Sequence, residues 1–199
     1  MEDGMMDPLG KSNGAALYVN YKIFSEHLLM AVRSDDLSKL KDLLADASSQ
    51  QMLLMREAPS LFGGNLRQHY TFDGFSFFEP NSLTLLVQLL DAAVTTGAQQ
   101  SFDCLWATSA RLQRNGQVQF LAHFFTSPQI EGVAKNPDGT AHAILLTALV
   151  SLSPNQQNEL RAHQKLKHHD VFERLMNQAQ KERLLRHVPS DQVSAARKL

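Results

Sequence analysis

The stretch Phe102-Asp103-Cys104-Leu105-Trp106-Ala107-Thr108-Ser109-Ala110-Arg111-Leu112 decides the fold class. Phe102, Cys104 and Trp106 fall on alternate positions, and with mixed burial expected along its length the stretch reads as a strand. Asn115-Gly116 then breaks the chain in a turn, and a short apolar helix from Val118 to Phe125 follows, closing at Ser127-Pro128. Upstream, Leu83, Leu86, Val87, Leu90 and Val94 mark the buried face of a helix that stops near Gly97, with Asn81 or Ser82 placed to cap it. Before that helix, two aromatic-rich runs, Leu66 to Phe72 and Phe75 to Phe78, flank Asp73-Gly74, a strong hairpin signal. Pro80 ends the second run because it cannot donate to a ladder. The order hairpin, helix, strand, turn, helix predicts an α+β fold, a small mixed sheet with a hairpin flanked by helices.

Helical segments are expected at both ends of this core. From Phe24 to Ala47 the residues Leu28, Leu29, Val32, Leu37, Leu40, Leu43 and Leu44 recur at helical spacing. Ser34-Asp35-Asp36 makes them a helix pair, or one bent helix. The segment Leu28 to Leu44 is similar to one helical hairpin of an ankyrin repeat, although no second copy recurs at that repeat's period. The apolar run Ala141 to Leu152 fits a buried strand or a buried helix, and periodicity does not separate the two. Pro154 to His187 reads as one long helix or two, packed through Leu160, Val171, Leu175 and Ala179 and stopped by Pro189. Residues 1–16 lack periodicity and read as a flexible leader. The expected organisation is one globular domain over 17–188, with an α/β core at 66–125, C-terminal helices at 154–188 and a tail at 189–199.

The composition suits that domain. The chain has 199 residues, 43% hydrophobic and 20% charged, enough for a core that buries roughly 70% of the unfolded surface. The apolar runs fall far short of the ~20 residues a membrane helix needs, and Met1-Glu2-Asp3-Gly4 does not begin a secretory signal, so an intracellular protein is expected. A single cysteine, Cys104, excludes an internal disulfide framework. Charge is uneven: residues 1–159 carry 10 Lys/Arg against 16 Asp/Glu, and residues 160–199 carry 9 against 4. Lys165, Lys167, Arg174, Lys181, Arg183 and Arg186 make the C-terminal helix a candidate surface for an acidic or phosphate-rich ligand, with solvation as the default reading. Nothing in the pattern signals nucleic acid.

The run Leu112-Gln113-Arg114-Asn115-Gly116-Gln117-Val118-Gln119-Phe120 resembles the nucleophile motif of the ubiquitin-like protein proteases and the related YopJ-type acetyltransferases. In that motif a cysteine at a helix N-terminus is held as thiolate, and an upstream glutamine donates to the developing oxyanion. Gln113 and Asn115-Gly116 match it. The resemblance further implies His69 as the base and Glu79, within Phe78-Glu79-Pro80, as the acid. Gln119 stands where the family has its cysteine, and an amide is no nucleophile. The resemblance therefore implies a catalytically inactive relative that acts by binding a protein partner. Through the acetyltransferase branch, it implies an effector-like protein delivered into a host cell by a specialised secretion route. A two-residue Asp73-Gly74 loop would place His69 and Glu79 on opposite faces of the hairpin.

A second constellation pairs Cys104 with His142, and Asn155 as the residue orienting the ring. It resembles the order of papain-like and transglutaminase-like enzymes, an alternative in which Cys104 is an active nucleophile. A buried, inert cysteine competes with that reading. His163, His168 and His169 lie at spacings that do not place metal ligands on one helix face, and no metal or other cofactor is expected. A third reading is a mostly helical adaptor or chaperone-like protein that binds a partner helix in leucine-rich grooves.

Overall fold

The decisive stretch is helical. In the computed structural model, Gln99–Leu112 forms one α-helix, and the predicted strand over 102–112 is corrected by it. Phe102, Leu105, Trp106 and Ser109 are buried, which is the i, i+3, i+4, i+7 stripe of a helix facing a core. The alternation of Phe102, Cys104 and Trp106 was incidental to that stripe.

The structure describes residues 9–56, 71–72, 83–163 and 168–187. Within them the order is α1 (Leu9–Arg33), α2 (Leu37–Leu43), α3 (Ala47–Met52), α4 (Leu85–Thr96), α5 (Gln99–Leu112), α6 (Gly116–Phe124), α7 (Ile130–Lys135), α8 (Thr140–Ser151), α9 (Pro154–Arg161) and α10 (His169–His187). The one extended pairing described joins Met55–Arg56 to Thr71–Phe72, two residues a side and antiparallel. That is too short to act as a layer, so among the described residues the α+β expectation with its mixed sheet is replaced by a helical fold. Thr71–Phe72 pairs with Met55–Arg56 rather than across Asp73-Gly74, and the Asp73-Gly74 turn itself lies outside the described residues.

Helix boundaries follow local chemistry. α1 and α2 are separate helices broken at Ser34–Asp36, as the pair reading has it, and the Asp36 side chain caps α2 by accepting from Lys39 N–H. α1 begins at Leu9, so part of the segment read as a leader is helical. Thr84 caps α4 through its hydroxyl, and Asn81 and Ser82, the expected caps, lie outside the described residues. Gly97 ends α4 in the left-handed conformation, φ 73°, and a Cβ there would meet Thr140 at 3.2 Å. The positive φ favours glycine there, and any side chain would also require Thr140 to shift by a few tenths of an ångström. Ser153 and Gln156 form a reciprocal capping box at α9, with Pro154 in its first turn.

The core is built around α4 and α8. α4 packs against α1, α5, α6 and α8, and α8 packs against α4, α5 and α10. In α8 Ile144, Leu145, Leu146, Ala148, Leu149 and Val150 are all buried, leaving Thr140, Ala143, Thr147 and Ser151 as a narrow exposed line. The run 141–152 is thus a nearly encircled helix. Aromatic side chains link the layers: Phe102 stacks on Trp106 at 5.4 Å, Phe120 meets both, and Phe125 meets Phe172 of α10 edge-on at 5.1 Å. Each such buried ring or leucine contributes on the order of 1.5–3 kcal/mol of burial.

Candidate functional site

The residues of the nucleophile-like motif occupy the corner between α5 and α6. Gln113 follows the last turn of α5, and its side chain folds over Gly116, where a Cβ would come within 2.7 Å of Gln113 Oε1. That Oε1 is buried without a hydrogen-bond partner. Gln119 sits in the first turn of α6 and is exposed. One glutamine turns into the protein and the other out to solvent, so the structure does not bring the pair to one surface. His69 and Glu79, the proposed base and acid, lie outside the described residues.

Cys104 lies half-buried on α5, a helix rather than the expected strand. Burial pushes its thiol up, and the charges of Lys41 and Arg111 only partly oppose this. Two residues along a helix turn the direction by roughly 200°. Trp106, two residues on, donates from its indole Nε1 to Ser151 Oγ of α8 at 2.8 Å. Cys104 accordingly turns toward α2, whereas His142 is half-buried in the first turn of α8. Asn155 is exposed near the start of α9. No hydrogen bond joins Cys104, His142 and Asn155 among the described residues.

The basic C-terminal helix is partly committed to its own fold. Arg174 pairs with Asp170 at 3.8 Å, and Arg183 donates to the carbonyl of Leu152 at 2.8 Å. Lys181 is exposed. His163, His168 and His169 are exposed, and His169 meets Phe172 edge-on. Among the described residues no three His, Cys, Asp or Glu side chains converge on one point, and no helix is long and apolar enough to cross a membrane.

Two features were not singled out from the sequence. The first is Asp91, a lone carboxylate inside the apolar run of α4. Its Oδ2 accepts from Gln129 Nε2 at 3.2 Å, while its Oδ1 is buried with no hydrogen-bond partner. Burial raises the Asp91 carboxyl and lowers the nearby His123 imidazole, and the field of each partly offsets the other's shift. An aspartate among leucines was the available signal. The second is the outward face of α1. Leu28, Ala31 and Val32 are buried, whereas Ile23 and Met30 are 48% and 60% exposed. Seven residues apart, they share one stripe pointing away from the core. Beside that stripe lies an open cleft of about 350 Å³ lined by Met30, Arg33, Ser34, Asp36 and Lys39.

The described residues define a helical protein with an apolar stripe and a polar cleft at its α1–α2 corner. Against known proteins, no family model, curated protein or solved structure matches the chain.

Proposed function

We propose that this chain is a helical protein-binding module, without catalytic chemistry of its own, whose docking surface is the outward face of α1 and the cleft at its C-terminal end. The carrying observation is the exposure of Ile23 and Met30 on one line of α1, opposite the buried Leu28, Ala31 and Val32. Isolated exposed apolar side chains need no explanation, but two on one stripe beside a cleft form a surface that a partner segment can cover. The raised thiol of Cys104 and the amide at Gln119 both speak against a nucleophile. The effector-like behaviour that the Gln113–Gln119 resemblance implies, action by binding, is compatible with this reading and is part of the proposal.

The test is selection of a displayed random-peptide library on the full chain, followed by affinity measurement on an Ile23→Asp/Met30→Asp double variant whose helicity is checked by circular dichroism. Both side chains are exposed, so the fold should persist. Losing their burial against a partner should weaken selected peptides about ten-fold or more. A library that yields no binders, or binders indifferent to the double variant, overturns the proposal.

A further inference from the structure

Resting on that binding reading, we infer that the segment taken by the α1–α2 corner is an acidic, apolar peptide, with an apolar side chain laid on Ile23 and Met30 and a carboxylate received by Arg33 and Lys39. Two polar side chains of the cleft are already engaged. Ser34 Oγ already donates to the Met30 carbonyl at 2.9 Å, and the Asp36 carboxylate already accepts the Lys39 backbone N–H at 3.0 Å as the cap of α2. Arg33 and Lys39 line the cleft, and among the described residues neither side chain has an ion-pair partner. A ligand therefore meets two cationic heads, one carboxylate committed to a helix cap, and the exposed Met30 side chain.

Position sets the partner's spacing. Arg33 follows Met30 by three residues, so its guanidinium lies one turn beyond the apolar stripe and to one side of it. A guanidinium is a planar fork suited to a carboxylate, and Lys39, which also lines the cleft, adds a second charge. The partner then needs an apolar anchor and an acidic residue about one helical turn apart. The rest of the chain sharpens the choice. Residues 160–199, with 9 Lys/Arg against 4 Asp/Glu, also attract an acidic segment by charge, so the apolar anchor on Ile23 and Met30 is what ties the segment to this corner.

The experiment uses two fluorescein-labelled amphipathic peptides with identical leucine positions, one with glutamates and one with lysines at the remaining helix-face positions, titrated against the full chain by anisotropy. The glutamate peptide should bind about ten-fold tighter than the lysine peptide at low salt, and its advantage should shrink several-fold as salt shortens the screening length. An Arg33→Glu/Lys39→Glu variant should invert the preference, and Arg33→Gln/Lys39→Gln, the milder change, should abolish it. Equal binding of both peptides, lost in Ile23→Asp/Met30→Asp, overturns the acidic-partner inference and leaves the binding reading standing. Binding of neither peptide overturns the acidic-partner inference and leaves the binding reading to the library selection.

Discussion

Asp35 Oδ1 accepts the backbone N–H of Ser101 at 2.7 Å, and its Oδ2 accepts that of Gln100 at 3.3 Å, so the turn between α1 and α2 caps α5 from far upstream in the chain. Ala98, at the N-cap position itself, has no side-chain acceptor to offer. Asp35 also holds φ at 50°, a conformation that aspartate, asparagine and glycine tolerate better than other residues. Asp35→Ala should cost about 1–2 kcal/mol in a urea titration, through the lost cap and the strained backbone together. Asp35→Gly separates the two, because it relieves the backbone and still lacks the acceptor. Asp35→Asn should sit closest to the parent, and stability of Asp35→Ala equal to the parent would show that the cap contributes nothing.

Ser101 takes part through its backbone alone. Its hydroxyl oxygen is fully buried and has no hydrogen-bond partner. A buried polar atom left unmatched costs on the order of 1–3 kcal/mol, whereas deleting it leaves only a small void. Ser101→Ala should therefore be neutral or stabilising by up to about 1 kcal/mol in the same titration. A clear loss would mean that this hydroxyl has found an acceptor.

How far the fold was legible turns on a few residues. The break at Ser34–Asp36, the stop at Gly97 and the helix expected over Val118 to Phe125, found at Gly116–Phe124, were readable because turn formers stand where the apolar periodicity ends. α5 was not, because two of the buried positions on its inner side, Thr108 and Ser109, carry hydroxyls that side-chain bonds to Cys104 and Trp106 carbonyls satisfy. With polar residues on the buried stripe, the visible pattern reduced to an alternation of Phe102, Cys104 and Trp106. α8 failed to declare itself for the opposite reason, since burial nearly all round leaves no polar face to set the period. Of the candidate site, the exposure of Ile23 and Met30 depends on which side of α1 meets α4, a tertiary fact with no local signature.

Trp106, the only tryptophan, reports on that core. Its indole Nε1 donates to Ser151 Oγ, and its ring forms a mutually touching triad with Phe102 and Phe120. Ser151→Ala removes the acceptor while leaving the ring packed, and should cost about 1 kcal/mol. Tryptophan emission should stay that of a buried indole in the folded variant, with the unfolding midpoint shifted down. A red-shifted folded spectrum would instead mean that the hydrogen bond fixes the ring's position.

The Asp91–His123 neighbourhood sets a pH dependence of definite sign. Burial lowers the imidazole of His123 below its ordinary 6.5, so its contribution to stability is complete above that value and is lost as pH falls from there through the folded-state pKa. Burial raises Asp91 above 3.8, so its contribution is complete below 3.8 and is lost as pH rises through the folded-state pKa. Once ionised, Asp91, with Oδ1 buried and unmatched, is a net cost to the fold. His123→Gln should flatten the decline in urea midpoint on acidification below about pH 6.5. Asp91→Asn should raise the midpoint at neutral pH and keep an acceptor for Gln129. A His123→Gln profile superimposable on the parent's would assign that decline to other groups.

Cys104 decides whether an enzyme is hidden in the fold. A nucleophilic cysteine is held as thiolate by neighbouring positive charge or a helix N-terminus, and its pKa is depressed. Cys104 sits in the body of α5, and burial moves its thiol upward against the weaker opposing pull of Lys41 and Arg111. Folded protein near neutral pH should accordingly react with iodoacetamide more slowly than an unstructured cysteine peptide, and urea unfolding should bring the two rates together. The rate should rise with pH along the titration of an elevated thiol and show no plateau near neutrality. Labelling faster than the peptide, with an inflection below the ordinary thiol range that His142→Ala removes, would make Cys104 an activated nucleophile and replace the binding reading with a catalytic one.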